Sequence, residues 1–180
     1  MSSGFNKTSE LLIHDGNWFS FWSVEFEGPG GERMERYVFR HPGAVAVVPI
    51  VDKNVVMVRQ FRAAIGEEIL EIPAGKLDVL GEKLEVAARR ELIEETGLSA
   101  SNVFELTRFY NSAGFTDELT VIYLATDLVA VEAMPDGLEE SYMSVEHIPL
   151  DRILKLIDDG SIVDAKSIIG LLAAQRHLDF

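Results

Sequence analysis

The chain has 180 residues, 47% of them hydrophobic, which suits one domain with a sizeable core. Sixteen Lys and Arg face 30 Asp and Glu, a net charge of −14, and this argues against nucleic-acid or anionic-membrane binding, both of which rely on dense positive charge. Cysteine is absent, so disulfides and thiolate metal sites are excluded; His14, His41, His147 and His177 show no paired ligand spacing, so zinc is not expected.

The first ten residues lack the apolar core of a secretion signal, and no apolar run reaches the ~18 residues of a membrane span. Cytoplasmic residence is the expectation. Trp18 to Glu27 and Arg33 to Arg40 are rich in aromatic and β-branched residues and flank Gly28-Pro-Gly-Gly31, which predicts a β-hairpin with the glycines as turn rather than phosphate loop. Strands follow at Ala44 to Val51 and Asn54 to Phe61 around Asp52-Lys53, then at Glu68 to Ile72. A helix is predicted from Leu84 to Thr96, strands at Val103 to Tyr110 and Leu119 to Ala125, a polar loop from Val131 to Ser144, and a strand near Val145 to Ile148. Two helices close the chain: Leu150 to Asp158, capped near Asp151, and Asp164 to Ala174, with Ile168, Leu171 and Leu172 toward the core. No repeat or low-complexity linker interrupts this order. Strands and helices mix without regular alternation, which predicts an α+β layered sandwich rather than a doubly wound sheet.

The Leu84 to Thr96 helix carries an anomaly. At about 100° per residue, Leu84, Ala88, Glu91 and Glu95 share one narrow stripe, with Ala87 and Glu94 beside it. The small and apolar face becomes acidic halfway along, so these glutamates point inward. Glu94 and Glu95 also fall in the last turn before Gly97, a C-terminal cap, where the helix dipole disfavours carboxylates. A bound divalent cation resolves both conflicts.

The run from Gly75 through Glu82, Arg90-Glu91, Glu94-Glu95 and Gly97-Leu98 resembles the signature of the Nudix hydrolases, which cleave a nucleoside diphosphate linked to another group. Six residues separate Gly75 from Glu82, one more than the family's usual spacing, so the turn into the helix should be longer than typical. His41-Pro-Gly-Ala-Val45, Gln60-Phe-Arg62, Glu71-Ile-Pro-Ala-Gly75, Ser112-Ala-Gly-Phe-Thr-Asp-Glu118 and Gly160-Ser-Ile-Val-Asp164 look most like the ADP-ribose pyrophosphatase and nucleoside-diphosphate-sugar hydrolase branch. The resemblance implies a Nudix-type α/β/α sandwich with a mixed sheet and an N-terminal β-hairpin subdomain. It divides the chain into strands within residues 1–40, a dimerisation element, and a hydrolase domain over residues 41–180.

It also implies roles. The Ala74 carbonyl, Glu91 and Glu95 hold Mg²⁺, with Mn²⁺ the alternative, and Glu94 assists; oxygen donors suit such ions. Glu82 and Arg90 pair to orient the loop, while Gly75 and Gly97 meet backbone requirements, either positive φ or close approach. Neighbouring Mg²⁺ ions neutralise the diphosphate, and the attacking water needs a base, for which the acidic loop offers Glu140, with Glu139 next to it. Both acids also fit ordinary solvated loop positions. Arg62 matches a phosphate contact, with a strand-end surface arginine as the alternative. Phe19, Phe21, Trp22 and Arg36 match the purine-binding region, although hairpin aromatics also serve core or dimer packing.

The expected activity is Mg²⁺-dependent hydrolysis of ADP-ribose and related nucleoside diphosphate sugars to a nucleoside monophosphate and a sugar phosphate, by a homodimer. Nucleotide sanitation or dinucleoside polyphosphate cleavage is the enzymatic alternative, and a catalytically silent nucleotide-binding module the non-enzymatic one. Such modules usually lose signature glutamates, and here all are present. One departure bears on selectivity: Ala113 stands where the branch commonly has proline, which should leave that loop more adaptable.

Overall fold

A computed structural model of the chain describes residues 4–133 and 141–178. They form two compact units, one of residues up to Gly43 together with Tyr110–Leu119, the other of Ala44–Phe109 together with the described residues from Thr120 onward.

The first unit contains an antiparallel sheet of β1 (Asn6–Asp15), β2 (Ser20–Glu27) and β3 (Arg33–Arg40), in that order. The turn between β2 and β3 closes through Gly31 N–H to Gly28 O at 3.0 Å and Gly28 N–H to Glu32 O at 2.8 Å, the backbone role expected of the glycine cluster. β1 was not anticipated. Its apolar residues run consecutively, Leu11-Leu12-Ile13, without the alternation that marks a half-buried strand, and every residue in it is exposed. Pairing with β2, through register shifts at Lys7/Ser9 and Leu12/His14, holds it in place.

The second unit is built on a mixed sheet ordered β10 (Ser144–Pro149), β5 (Asn54–Arg62), β4 (Ala44–Val51), β9 (Leu119–Ala130), β8 (Leu98–Tyr110). β6 (Glu67–Glu71) pairs with β5, and the short β7 (Ala74–Lys76) with β4. β4 runs parallel to β9 and antiparallel to β5, from which it is separated by a tight turn with Asp52 at φ 47° and Lys53 at φ 62°. β8 and β9 extend beyond the predicted ends because ladder pairing carries polar residues, such as Asn102 and Asp127, that show no strand periodicity.

β4 reads as a continuous apolar run because helices cover both its faces. Ala46 and Val48 join Met57, Ile72, Ile122, Leu171 and Ala174 in the main core, beneath α3 (Ala165–Leu178). Alternation sends Val45 and Val47 to the other face, where α1 (Leu84–Thr96) lies. This is the α/β/α sandwich expected. On α3 the buried face is Ser167, Gly170, Leu171 and Ala174, with Ile168 packed against the core as predicted, whereas Leu172 is exposed. Gly170 lets helix and sheet approach: a Cβ there would lie 3.0 Å from Ile72, 3.1 Å from Val48 and 3.2 Å from Ile122. A 3-10 turn (Leu150–Arg152) leads into α2 (Ile153–Asp158); Pro149, not Asp151, holds the position before the turn, with no side-chain cap bond.

Candidate active site

Ala87, Ala88 and Leu92 bury the sheet-facing side of α1, and the same side continues into Glu91 and Glu95, each only 6% exposed. No basic residue occupies the last turn to offset them. The helix ends at Gly97, with φ 66° and its N–H donating to Ile93 O at 2.9 Å.

β7 lies under these carboxylates because it pairs with the first half of β4, Ala46 opposite Ala74 and Val45 opposite Gly75. Ala74 N–H donates to Glu95 Oε2 at 2.9 Å. Gly75 does not need positive φ; it needs close approach, since a Cβ there would fall 2.0 Å from the Glu91 carboxyl carbon. The strand backbone thus forms a floor against which both glutamates rest.

Arg90 organises the approach. Its Nη1 stands 2.8 Å from Glu91 Oε1 and 2.8 Å from Glu94 Oε2, and its Nε and Nη2 donate to Glu82 at 3.3 and 3.2 Å. Donation to the Glu82 carboxylate, aided by the charges of Glu91 and Glu94, raises the guanidinium's proton affinity despite its partial burial. Glu94, half-buried beside this arginine, is therefore less inward than Glu91 and Glu95.

The donors fit a hard divalent cation. Two buried carboxylates converge on a backbone segment that has carbonyl oxygens and no Cβ in the way, and no sulfur or imidazole is among them. Among the described residues no three His, Cys, Asp or Glu side chains form a preformed cage.

Arg62 sits at the end of β5 with its guanidinium on Glu71: Nε lies 3.0 Å from both carboxylate oxygens and Nη2 contacts Oε2. Burial alone would lower the arginine's proton affinity, but the Glu71 hydrogen bond and charge, helped by Glu95 and Asp164, leave it raised. Glu71, 2% exposed, also accepts from Lys166 at 3.2 Å. Sequence reading passed over Glu71, Lys166 and Ser167 as site residues; the available signal was an acidic residue amid the apolar Ile69, Leu70 and Ile72.

Of the proposed base residues, Glu139 and Glu140 lie outside the described residues. The proposed purine contacts lie in the first unit. Phe19 stacks on Phe39 at 4.5 Å between ring centroids, takes the edge of Trp18 at 4.9 Å, and has Gly16 against its ring. Phe21 packs on Tyr37 at 5.8 Å, and Trp22 donates to Ser20 Oγ at 2.7 Å. Arg36 is exposed on β3, with Nη1 donating to Glu35 O at 2.8 Å. Phe19 thus has aromatic neighbours within its own unit.

A family model described as the NUDIX domain matches residues 40–167. The chain is 38% identical to the ADP-ribose pyrophosphatase of Bacillus subtilis (strain 168) over 86% of this chain and 84% of that one. It is 35% identical to the GDP-mannose pyrophosphatase of Enterobacter sp. (strain 638), over 94% of each chain. A solved ADP compounds hydrolase shares the fold, with a TM-score of 0.86 over 97% of this chain and 94% of that one at 23% identity. With the helix, its inward glutamates and the signature glycines arranged as described, these matches establish that the chain belongs to the NUDIX family.

Proposed function

We propose that this protein is an Mg²⁺-dependent hydrolase that cleaves the diphosphate of ADP-ribose and related nucleoside diphosphate sugars, releasing a nucleoside monophosphate and a sugar phosphate. The observation that carries this reading is the convergence of buried Glu91 and Glu95 on the Ala74–Gly75 backbone, Glu95 at the Ala74 N–H and Glu91 where a Gly75 Cβ would lie. Relatives named ADP-ribose pyrophosphatase and GDP-mannose pyrophosphatase, similar over most of their length, support the substrate class.

When bound, Mg²⁺ supplies charge neutralisation for the diphosphate and acidifies a coordinated water. The protein's own residues do the rest. Glu91 and Glu95, with the Ala74 carbonyl, would hold the cation; Arg90, fixed by Glu82, keeps the Glu91 and Glu94 carboxylates in place. Arg62 offers the guanidinium edge that Glu71 does not take to a phosphate oxygen. Glu140, with Glu139 as the alternative, takes the proton from the attacking water. The chain acts as a cytoplasmic homodimer, and its acidic composition argues against nucleic-acid and anionic-membrane partners.

Chromatography of products from ADP-ribose, GDP-mannose and two other nucleoside diphosphate sugars, with Mg²⁺, tests the reading. ADP-ribose should be cleaved, with the others within roughly a hundredfold in kcat/KM, about 2.7 kcal/mol of transition-state discrimination. No cleavage of any of the four would overturn the assignment, and a stricter preference for ADP-ribose would refute the relaxed selectivity inferred from Ala113.

A further inference from the structure

Glu71 is almost fully buried, between Leu70 and Ile72 of the main core, and a carboxylate there is costly unless compensated. One cation would suffice for a structural ion pair, yet two converge. Arg62 takes both oxygens, and Lys166 Nζ reaches Oε2 at 3.2 Å. Lys166 is the second residue of α3, where the helix dipole disfavours positive charge, and its side chain is only 15% exposed. Its position is fixed from the other side by Asp164, whose Oδ2 stands 3.0 Å from Nζ and accepts from the Ser167 N–H at 2.9 Å and hydroxyl at 2.6 Å. Ser167 Oγ in turn accepts from Ile72 N–H at 2.9 Å, so the start of α3 is bolted to the strand that carries Glu71. The four charges, Glu71, Asp164, Arg62 and Lys166, cancel.

The second cation changes what Arg62 can do. Glu71 grips the Nε and Nη2 edge, which removes freedom from a long side chain; the Nη1 edge is not taken by Glu71, and the Arg62 side chain as a whole is 36% exposed. An arginine that is the sole counterion of a buried carboxylate is held inward and largely neutralised. Sharing that carboxylate with Lys166 leaves Arg62 oriented and still effectively cationic.

We infer that Glu71 and Lys166 are positioning residues for diphosphate binding: Glu71 orients the Arg62 guanidinium, and Lys166, by sharing Glu71, keeps its Nη1 edge cationic for a substrate phosphate. This rests on the reading of Arg62 as a phosphate contact, and the two fail differently.

The test compares Arg62→Met, Lys166→Met, Lys166→Arg and the double variant R62M/K166M. Two readouts are used: KM and kcat for ADP-ribose with saturating Mg²⁺, and the calorimetric Kd for ADP-ribose in metal-free buffer, where no turnover is required. Lys166→Met should raise KM and Kd about tenfold with kcat within about twofold, and Lys166→Arg should restore most of the loss. In the Arg62→Met background, Lys166→Met should add less than about twofold, because its effect acts through that guanidinium. If Arg62→Met leaves KM and Kd unchanged, Arg62 is not a phosphate contact. If Arg62→Met weakens binding but Lys166→Met does not, or the two effects simply add, the positioning role is overturned while the Arg62 contact stands. Should Lys166→Met fail to fold, Lys166→Gln takes its place, read against the same criteria.

Discussion

A Cβ on Gly75 would sit 2.0 to 2.2 Å from the three carboxyl atoms of Glu91, so glycine is required here by contact and not by backbone angle. The same carboxylate is the first test of the metal site. Glu91→Gln and Glu95→Gln should each lower turnover by orders of magnitude, since an amide is a far weaker Mg²⁺ ligand, and Gly75→Ala should reproduce the loss by displacing Glu91. The glutamine variants should melt no lower than the metal-free parent. Glu91 loses its contact to Arg90, but that guanidinium keeps Glu82 and Glu94, and repulsion among neighbouring carboxylates is relieved. Near-normal turnover in either variant would sink the assignment. For the base, Glu140→Gln should reduce kcat by roughly a hundredfold at neutral pH with KM little changed, and Glu139→Gln should do less. Reversed ranks in steady-state kinetics would move the base by one residue.

Two elements translate these residues into a site. α1 reads correctly from sequence because its small and apolar stripe is unbroken up to the point where glutamates replace it, and its end is set by a left-handed glycine. α3 is subtler. Its contact with the sheet is centred on Gly170, which a hydrophobic pattern search overlooks in favour of exposed Leu172. Gly170→Ala gains helix propensity, but its Cβ would crowd Ile72, Val48 and Ile122, three core side chains with little room to yield. It should lower stability by about 1 to 3 kcal/mol, measurable in denaturant unfolding. The loop of residues 112–118, in contrast, is tied along its second half: Phe115 O accepts from Phe39 N–H at 2.9 Å, and Asp117 accepts from His41 N–H at 2.9 Å and pairs with Arg40 at 3.0 Å. Ala113 and Gly114, exposed ahead of these ties, are where the adaptability expected from the missing proline resides.

For the whole molecule, β1 poses the main question. A three-stranded sheet whose edge strand exposes Leu11 at 68%, Leu12 at 41% and Ile13 at 48% is an unpaired, apolar edge of the kind proteins normally cover. The proposed homodimer would supply the cover. Leu11→Glu with Ile13→Glu should convert a species of twice 20.0 kDa to a single 20.0 kDa chain in light scattering, and a parent that is already monomeric would exclude the proposal.

Sequence alone determined the sandwich class, the span of α1 and the inward turn of Glu91 and Glu95, because periodicity and capping are local properties that survive into any packed arrangement. Only the tertiary structure decided that Gly75 serves contact, that Phe19 stacks on Phe39 within its own unit, and that Arg62 and Lys166 both meet Glu71. Those partners lie 9 residues apart for Arg62 and Glu71, and on a separate helix for Lys166, so no local pattern encodes them. Their meeting depends on how β5, β6 and α3 pack, and it is packing, not propensity, that turns an arginine, a glutamate and a lysine into one arrangement.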